Sequence, residues 1–171
     1  MIVVAETRRL IIRHFTINDA EAMVAIFGDA IVMRFSDDGV QSPEFARVWV
    51  ANMMDYYPVW GFGMWAIVQK ETQGVIGYAG VSRFAGRCGP DEAELGFRLA
   101  LPYWGRGYAT EASGAACEYG LGELLLPRIV AIIDPNNVSS IRVAKKIGMT
   151  FESEVMLPGY THPDHLYAIA R

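Results

Sequence analysis

Cysteine is scarce in this chain. Cys88 and Cys117 are the only two, with no Cys-x-x-Cys pair and no Cys/His cluster. A disulfide framework and a zinc-ribbon site are thereby excluded, and such sparse use suits a reducing compartment. No run of 18 apolar residues exists, so nothing in the sequence reads as a membrane span. Glu6, Arg8, Arg9 and Arg13 break up the short apolar start, which therefore lacks the long apolar centre of a signal peptide. A surplus of basic residues is missing too. Fifteen Lys and Arg face 19 Asp and Glu, for a net charge of -4. That balance argues against a broad nucleic-acid footprint, although it leaves room for a local basic patch. These absences together predict a cytoplasmic protein with no metal, no nucleic acid and no membrane among its partners.

What is present is a globular composition, 52% hydrophobic and 20% charged over 171 residues. That length suits one domain, residues 1–171, burying roughly two thirds of the surface its unfolded chain exposes. Arg9 to Phe15 predicts a first strand. Asn18 predicts a helix N-cap, with Glu21 three residues on and Met23, Ile26 and Phe27 at helical spacing. Ser42 and Pro43 open a second helix, whose face is Phe45, Val48, Trp49, Met53 and Tyr56 and whose end is set by Pro58. Met64 to Gln69 and Val75 to Phe84 read as a hairpin around Lys70 to Gly74. After a break at Pro90 and Asp91, Ala93 to Leu101 predicts a strand, then a glycine-rich turn and a helix to about Gly120. Arg128 to Ile133 is a strand, and Asn137 caps a helix that Gly148 closes. Phe151 to Met156 and His165 to Ile169 are the last strands. Interleaved helices and hairpins predict an α/β fold with a mixed sheet.

The informative segment is ELGFRLALPYWGRGYATE, Glu94 to Glu111. A strand enters a turn holding Gly105 and Gly107, and a helix leaves it. Glycine lets backbone come close to a ligand, and the first N–H groups of a helix have no internal partner. With the helix dipole they form an anion site. The donors are the N–H groups of Gly105, Arg106, Gly107, Tyr108, Ala109 and Thr110, with the Arg106 side chain at the rim. On spacing alone, an ordinary tight strand-to-helix turn is the commoner explanation of Gly-x-Gly. No Gly-Lys-Ser or Gly-Lys-Thr follows, which rules out a Walker loop, and Thr110 stands where GxGxxG needs its last glycine.

YWGRGYATEA, after a strand that begins AELGF, resembles motif A of the GNAT N-acetyltransferases. TRRLIIRHFTINDAEAM is similar to the opening strand and helix of the ribosomal-protein N-terminal acetyltransferase branch (RimJ/RimL type), NNVSSIRVAKKIGM to its second coenzyme A motif, and VMLPGYTHPDHLYAIAR to its closing hairpin. Four matches in order cover nearly the whole chain. The family's (Gln or Arg)-x-x-Gly-x-(Gly or Ala) maps onto Trp104, Gly107 and Ala109, so Trp104 departs from the general pattern as this branch commonly does. The resemblance implies an acyl-CoA N-acyltransferase fold: a central, mostly antiparallel sheet, helices on both faces, and a splayed pair of strands, here Ala93 to Leu101 and Arg128 to Ile133. It implies acetyl-CoA as co-substrate, its pantetheine arm lying in the splay, and a primary amine as acceptor, either a protein N-terminus or a small molecule. The alternative is a catalytically idle CoA-binding module on the same fold, as a monomer or a homodimer.

By that resemblance the Leu99 N–H is the donor to the thioester oxygen, and Leu101 is the next outward backbone position along the arm. Glu94 is the base, through water, or a solvated strand-end carboxylate. Asn137 contacts the pantetheine, or only caps its helix, or does both. Ser140 is the donor to the departing sulfur, with water as the alternative, because Ala144 stands where the superfamily often has a tyrosine acid. Glu111 reads as a first-turn carboxylate suited to the dipole. His14, His162 and His165 lack any carboxylate or cysteine partner visible in the sequence. Asp37, Asp38, Tyr160 and His162 are candidates for the acceptor border, and so are Phe62 and Met64, which can equally just pack. Trp49, Trp60 and Trp65 read as core.

Overall fold

The computed structural model describes residues 2–83, 89 and 92–171. Its first two strands, β1 (Val3–Glu6) and β2 (Leu10–Arg13), replace the single expected strand from Arg9. The chain reverses between them, where the Thr7 N–H reaches the Leu10 carbonyl at 3.0 Å. β1 escaped detection because four residues carry too little pattern.

Asn18 is not the first cap. Thr16 is extended (φ -121°, ψ 160°), and both its N–H (2.7 Å) and its hydroxyl (3.0 Å) donate to the Asp19 carboxylate. Asn18 falls inside the 3-10 turn Ile17–Asp19 that leads into α1 (Ala20–Phe27). Asp19 also grips the Arg13 guanidinium through two bonds of 2.7 and 2.8 Å in buried surroundings. Burial works to raise the Asp19 pKa, but the Arg13 guanidinium and the Thr16 N–H outweigh it and hold it below the ordinary carboxylate value. Asp19→Ala leaves a nearly buried guanidinium without its carboxylate, so we expect a stability loss of about 3–5 kcal/mol. A depressed folded pKa means that this contribution is present above the ordinary carboxylate pKa and fades as pH falls through the depressed value. Urea melts of parent and variant are therefore expected to differ at pH 7 and to converge in acid.

The four-residue helix α2 (Ala30–Met33), capped by Asp29, had no periodicity to announce it. The helix α3 (Pro43–Trp60) begins as expected, with the Ser42 Oγ accepting from the Phe45 N–H at 3.1 Å. It runs past Pro58, however, and stops at Gly61, whose φ is +77°. Pro58 forfeits the one bond that its N–H would make to the Met54 carbonyl, the helix continues past it, and the left-handed glycine is the effective stop.

The strands β3 (Met64–Gln69) and β4 (Val75–Ser82) form the expected hairpin. The predicted extension to Phe84 and the break at Pro90 and Asp91 fall outside the described residues. β5 is Glu92–Leu99, α4 is Tyr108–Gly122 and β6 is Arg128–Ile133. They are followed by α5 (Val138–Lys146), β7 (Thr150–Val155) and β8 (Asp164–Ala170). β5 ends at Leu99 rather than Leu101. The Ala100 N–H still bonds the Ile76 carbonyl (2.9 Å), but Pro102 has no N–H to continue the ladder and Leu101–Tyr103 turns into a 3-10 helix.

The eight strands form one sheet in the order β1-β2-β3-β4-β5-β6-β8-β7. Every neighbouring pair is antiparallel except β5 and β6. Alternate side chains of β3 feed two cores, as a strand's period of two requires. Trp65 and Ile67 pack with Tyr108, Ala112 and Ala116 of α4, whereas Ala66 packs with Met23 and Ile26 of α1 and Val50 of α3. Both faces of the sheet are thus covered by helices. Among the described residues no helix is long and apolar enough to cross a membrane.

β5 and β6 are partners only from Glu92↔Arg128 to Glu94↔Val130. Beyond that point β5 runs on beside β4, with Leu99 opposite Gly77, while β6 runs on beside β8, with Ile133 opposite His165. The expected splay is therefore present, and it opens toward the turn after β5.

Candidate active site

The floor of the opening is the free edge of β5. The Leu99–Ala100 peptide sends its N–H to β4, so planarity turns the Leu99 carbonyl the other way. Hydrogen-bonding groups alternate sides along a strand, which turns the Leu99 and Phe97 N–H groups into the opening as well. Phe97 was not singled out in the sequence, because its value depends on β6 having moved away.

At the end of the opening the chain bends. Gly105 and Gly107 have φ of +72° and +80°, a region that costs an L side chain strain. The first intrahelical bond of α4 runs from the Glu111 N–H to the Gly107 carbonyl at 3.0 Å. The Tyr108, Ala109 and Thr110 N–H groups stand ahead of that ladder, at the positive end of a 15-residue helix.

The β1–β2 connection braces the bend from behind. Glu111 accepts from the Thr7 hydroxyl (2.6 Å), the Arg9 N–H (2.9 Å) and the Arg9 Nε (2.7 Å). Burial raises the Glu111 pKa, but these three donors outweigh it and hold the carboxyl below its ordinary range. Arg9 also donates to the Arg106 carbonyl at 2.9 Å and lies 4.2 Å from the centre of the Tyr108 ring. Glu111 is thus a strut for the bend, a larger role than a carboxylate that merely suits the dipole.

A cleft of about 430 Å³ lies over the bend, lined by Leu99, Trp104, Gly105, Gly107, Tyr108, Ala109, Thr110, Asn137 and Ser140. Two expected residues are not on its wall. Arg106 is exposed, with its carbonyl taken by Arg9. Leu101 has left the strand and packs with Ala100 and Trp104 against the α1–α3 core, so the next outward strand position that we expected does not exist. Four cations not singled out from the sequence, Arg34, Arg98, Arg142 and Lys146, do line the cleft. Arg142 and Lys146 are one turn apart on α5, a spacing that was legible. Arg34 follows the unannounced α2 and gave no signal.

A second cavity of about 480 Å³ adjoins the first, and Asn137 and Ser140 line both. The Asn137 side chain accepts from the Ser140 N–H at 3.2 Å, so it caps α5 while facing both cavities. Glu94 lines the second cavity and is only 6% exposed, which corrects the expectation of a solvated strand end. It is buried because it sits at the last β5–β6 pair, deep in the sheet. Asp37, Asp38, Asp134, Asp164, Trp49 and Tyr160 also line this cavity. Phe62 and Met64 do not; both are buried in packing.

His162, which showed no partner in the sequence, lies 3.5 Å from Asp164 and 3.7 Å from Asp134. That trio brings three ligand-type atoms within 4.8 Å of one another, a grouping that an expectation of no metal did not anticipate. His14 instead stacks on Tyr57 at 3.8 Å, and burial lowers its pKa. His165 is 3.9 Å from Glu154. Cys117 is buried and its thiol is pushed up to about 12, which removes it as a nucleophile. Trp65 is core, Trp49 is on a cavity wall, and Trp60 is exposed.

The acetyltransferase (GNAT) domain family matches this chain over residues 9–150. The uncharacterized N-acetyltransferase YnaD of Bacillus subtilis (strain 168) is 33% identical over 150 residues, 85% of this chain and 82% of YnaD. The crystal structure of a GNAT-family acetyltransferase from Bacillus anthracis superposes with a TM-score of 0.85 at 30% identity, covering 99% of this chain and 98% of that one. The ribosomal L7/L12 α-N-protein acetyltransferase RimL, solved with coenzyme A, superposes at 0.82, covering 98% and 97%, but at 18% identity its likeness extends to the fold alone. With its eight-stranded splayed sheet and glycine bend, this chain belongs to the GNAT acetyltransferase family and is an acetyl-CoA-dependent N-acetyltransferase.

Proposed function

We propose that the protein, acting as a single domain, transfers the acetyl group of acetyl-CoA to a small cationic primary amine by direct attack in a ternary complex. The observation that carries this reading is the pair of cavities meeting at Asn137 and Ser140. One cavity holds a bend rich in N–H donors. The other is lined, among the described residues, by five carboxylates, Asp37, Asp38, Glu94, Asp134 and Asp164, against the single guanidinium of Arg98.

The roles follow from chemistry at each place. The N–H groups from Gly105 to Thr110 hold the diphosphate of acetyl-CoA, which supplies the acetyl thioester, and Arg34, Arg142 and Lys146 add charge around it. The Leu99 N–H, turned into the opening, meets the oxygen on which negative charge develops. An ammonium has no lone pair, so the acceptor must lose a proton before it attacks; buried Glu94 accepts it, directly or through water. The departing thiolate takes up the second proton that the nitrogen sheds as the amide forms, with Ser140 donating a hydrogen bond to the sulfur. The sequence resemblance supports a place beside the RimJ/RimL branch, where acceptors include protein N-termini. The acid-lined cavity favours a small amine instead. Sparse cysteine fits a cytoplasmic setting.

A thiol-release assay with acetyl-CoA tests the acceptor. Its panel is butylamine, 1,4-diaminobutane, and short peptides with acidic or neutral N-terminal residues. The diamine is expected to exceed the monoamine at least about tenfold in kcat/KM, the worth of one added charge–carboxylate contact. A preference for the acidic peptide would refute the cationic acceptor.

A further inference from the structure

The Trp104 side chain does something that anion binding by backbone N–H groups does not require. Its Nε1–H donates to the Leu99 carbonyl at 2.8 Å. That carbonyl is on the opening side of β5, beside the Leu99 N–H, because the same peptide unit gives its own N–H to Ile76. The indole is also held firmly. It packs against both hydrophobic cores, and the Arg34 guanidinium stands 5.6 Å from its ring centre. The Trp104 N–H bonds the Leu101 carbonyl at 3.1 Å, which fixes where the bend begins. One residue thus has its main chain at the start of the bend and its side chain on the free edge of the strand where the thioester is expected.

We infer that Trp104 is a positioning residue, which sets the distance and orientation between the anion-binding bend and the Leu99 edge of β5. The inference rests on the proposed binding of acetyl-CoA across those two places. A ligand anchored by its diphosphate at the bend presents its far end to Leu99 only if bend and edge keep one relative placement. Pro102 and the 3-10 turn connect them along the chain, and the indole closes that connection into a triangle. Without its N–H, the cradle keeps its amides and glycines, but the edge gains freedom to shift. A misplacement of about 1 Å at a reacting group is enough to slow a reaction severalfold to a hundredfold. Affinity, which comes mainly from the cradle, changes little.

The test removes the donor and keeps the rings. In one variant β-(3-benzothienyl)alanine replaces Trp104, preserving two fused rings and the aromatic face toward Arg34; the other is Trp104→Phe. Calorimetry with coenzyme A and with adenosine 3′-phosphate 5′-diphosphate, which keeps the diphosphate but lacks the pantetheine arm, reads the cradle. Thiol-release kinetics with the best amine of the panel read the chemistry. For the benzothienyl variant, both dissociation constants and the KM for acetyl-CoA are expected within about twofold of the parent, with kcat lowered about tenfold. An unchanged kcat overturns the inference. So does a matching loss of affinity for the arm-less diphosphate, because that would make the indole a prop for the cradle alone. If Trp104→Phe fails to fold, the benzothienyl variant decides by itself. A parent that binds no coenzyme A overturns this inference together with the proposed function, whereas an active parent with an unaffected variant overturns this inference only.

Discussion

Glu94→Gln is expected to lower kcat by about 10²–10⁴-fold, the usual worth of a positioned proton acceptor, while coenzyme A binds as before. The amide has the shape of the carboxylate, so it fits the same buried place at the last β5–β6 pair. It differs in being unable to take the amine's proton. Steady-state kinetics with the best amine, beside a calorimetric titration with coenzyme A, separate the two effects. A kcat within threefold of the parent would move proton acceptance elsewhere, with His162 between Asp134 and Asp164 as the next residue to examine. The same pair of measurements on Ser140→Ala tests its contact with the departing sulfur: turnover is expected to fall while affinity for coenzyme A holds.

Gly105→Asp is expected to weaken coenzyme A binding on the order of 10³-fold. Gly105 has φ +72°, and a Cβ built there meets nothing within 4 Å, so the site has room. Asp and Asn are the non-glycine residues that best tolerate this conformation. The Asp carboxylate would stand about 4 Å from a diphosphate in the cradle, where like charges repel by about 4 kcal/mol at an effective dielectric of 20. Gly105→Asn has the same shape without the charge and is expected within about fivefold of the parent. Calorimetry on the two variants, each checked for folding by its melting curve, decides the matter. Asp binding as well as the parent would remove the bend from the phosphate site, and equal losses for Asn and Asp would assign the effect to backbone strain.

Much of the secondary structure was legible because its causes are local. The hairpin from Met64 declared itself through two apolar runs around a polar turn, and α3 and α5 through Ser42 and Asn137, whose side chains do accept the bonds expected of caps. The bend was legible as well, since glycines at 105 and 107 are what two left-handed residues require. Errors came where the local rule was incomplete. Pro58 costs α3 one hydrogen bond without ending it, and Thr16 rather than Asn18 caps the first turn because Asp19 bonds back to Thr16 and Arg13, contacts that spacing does not reveal.

The site itself divides along the same line. That a strand, a glycine bend and a helix could hold an anion was written in eighteen consecutive residues. That Glu94 is buried, that Asp134, His162 and Asp164 meet, and that Trp104 reaches back to Leu99 was not. The Thr7–Glu111 bond that braces the bend joins residues 104 positions apart. By itself the sequence determined most of the elements, the caps at Ser42 and Asn137 and the bend's conformation, because φ, ψ and the nearest hydrogen bonds depend on neighbours in the chain. Only the tertiary structure decided which edge of β5 lies open and which carboxylates share a cavity, because those follow from strand register and burial, and both are set by contacts between residues far apart in sequence.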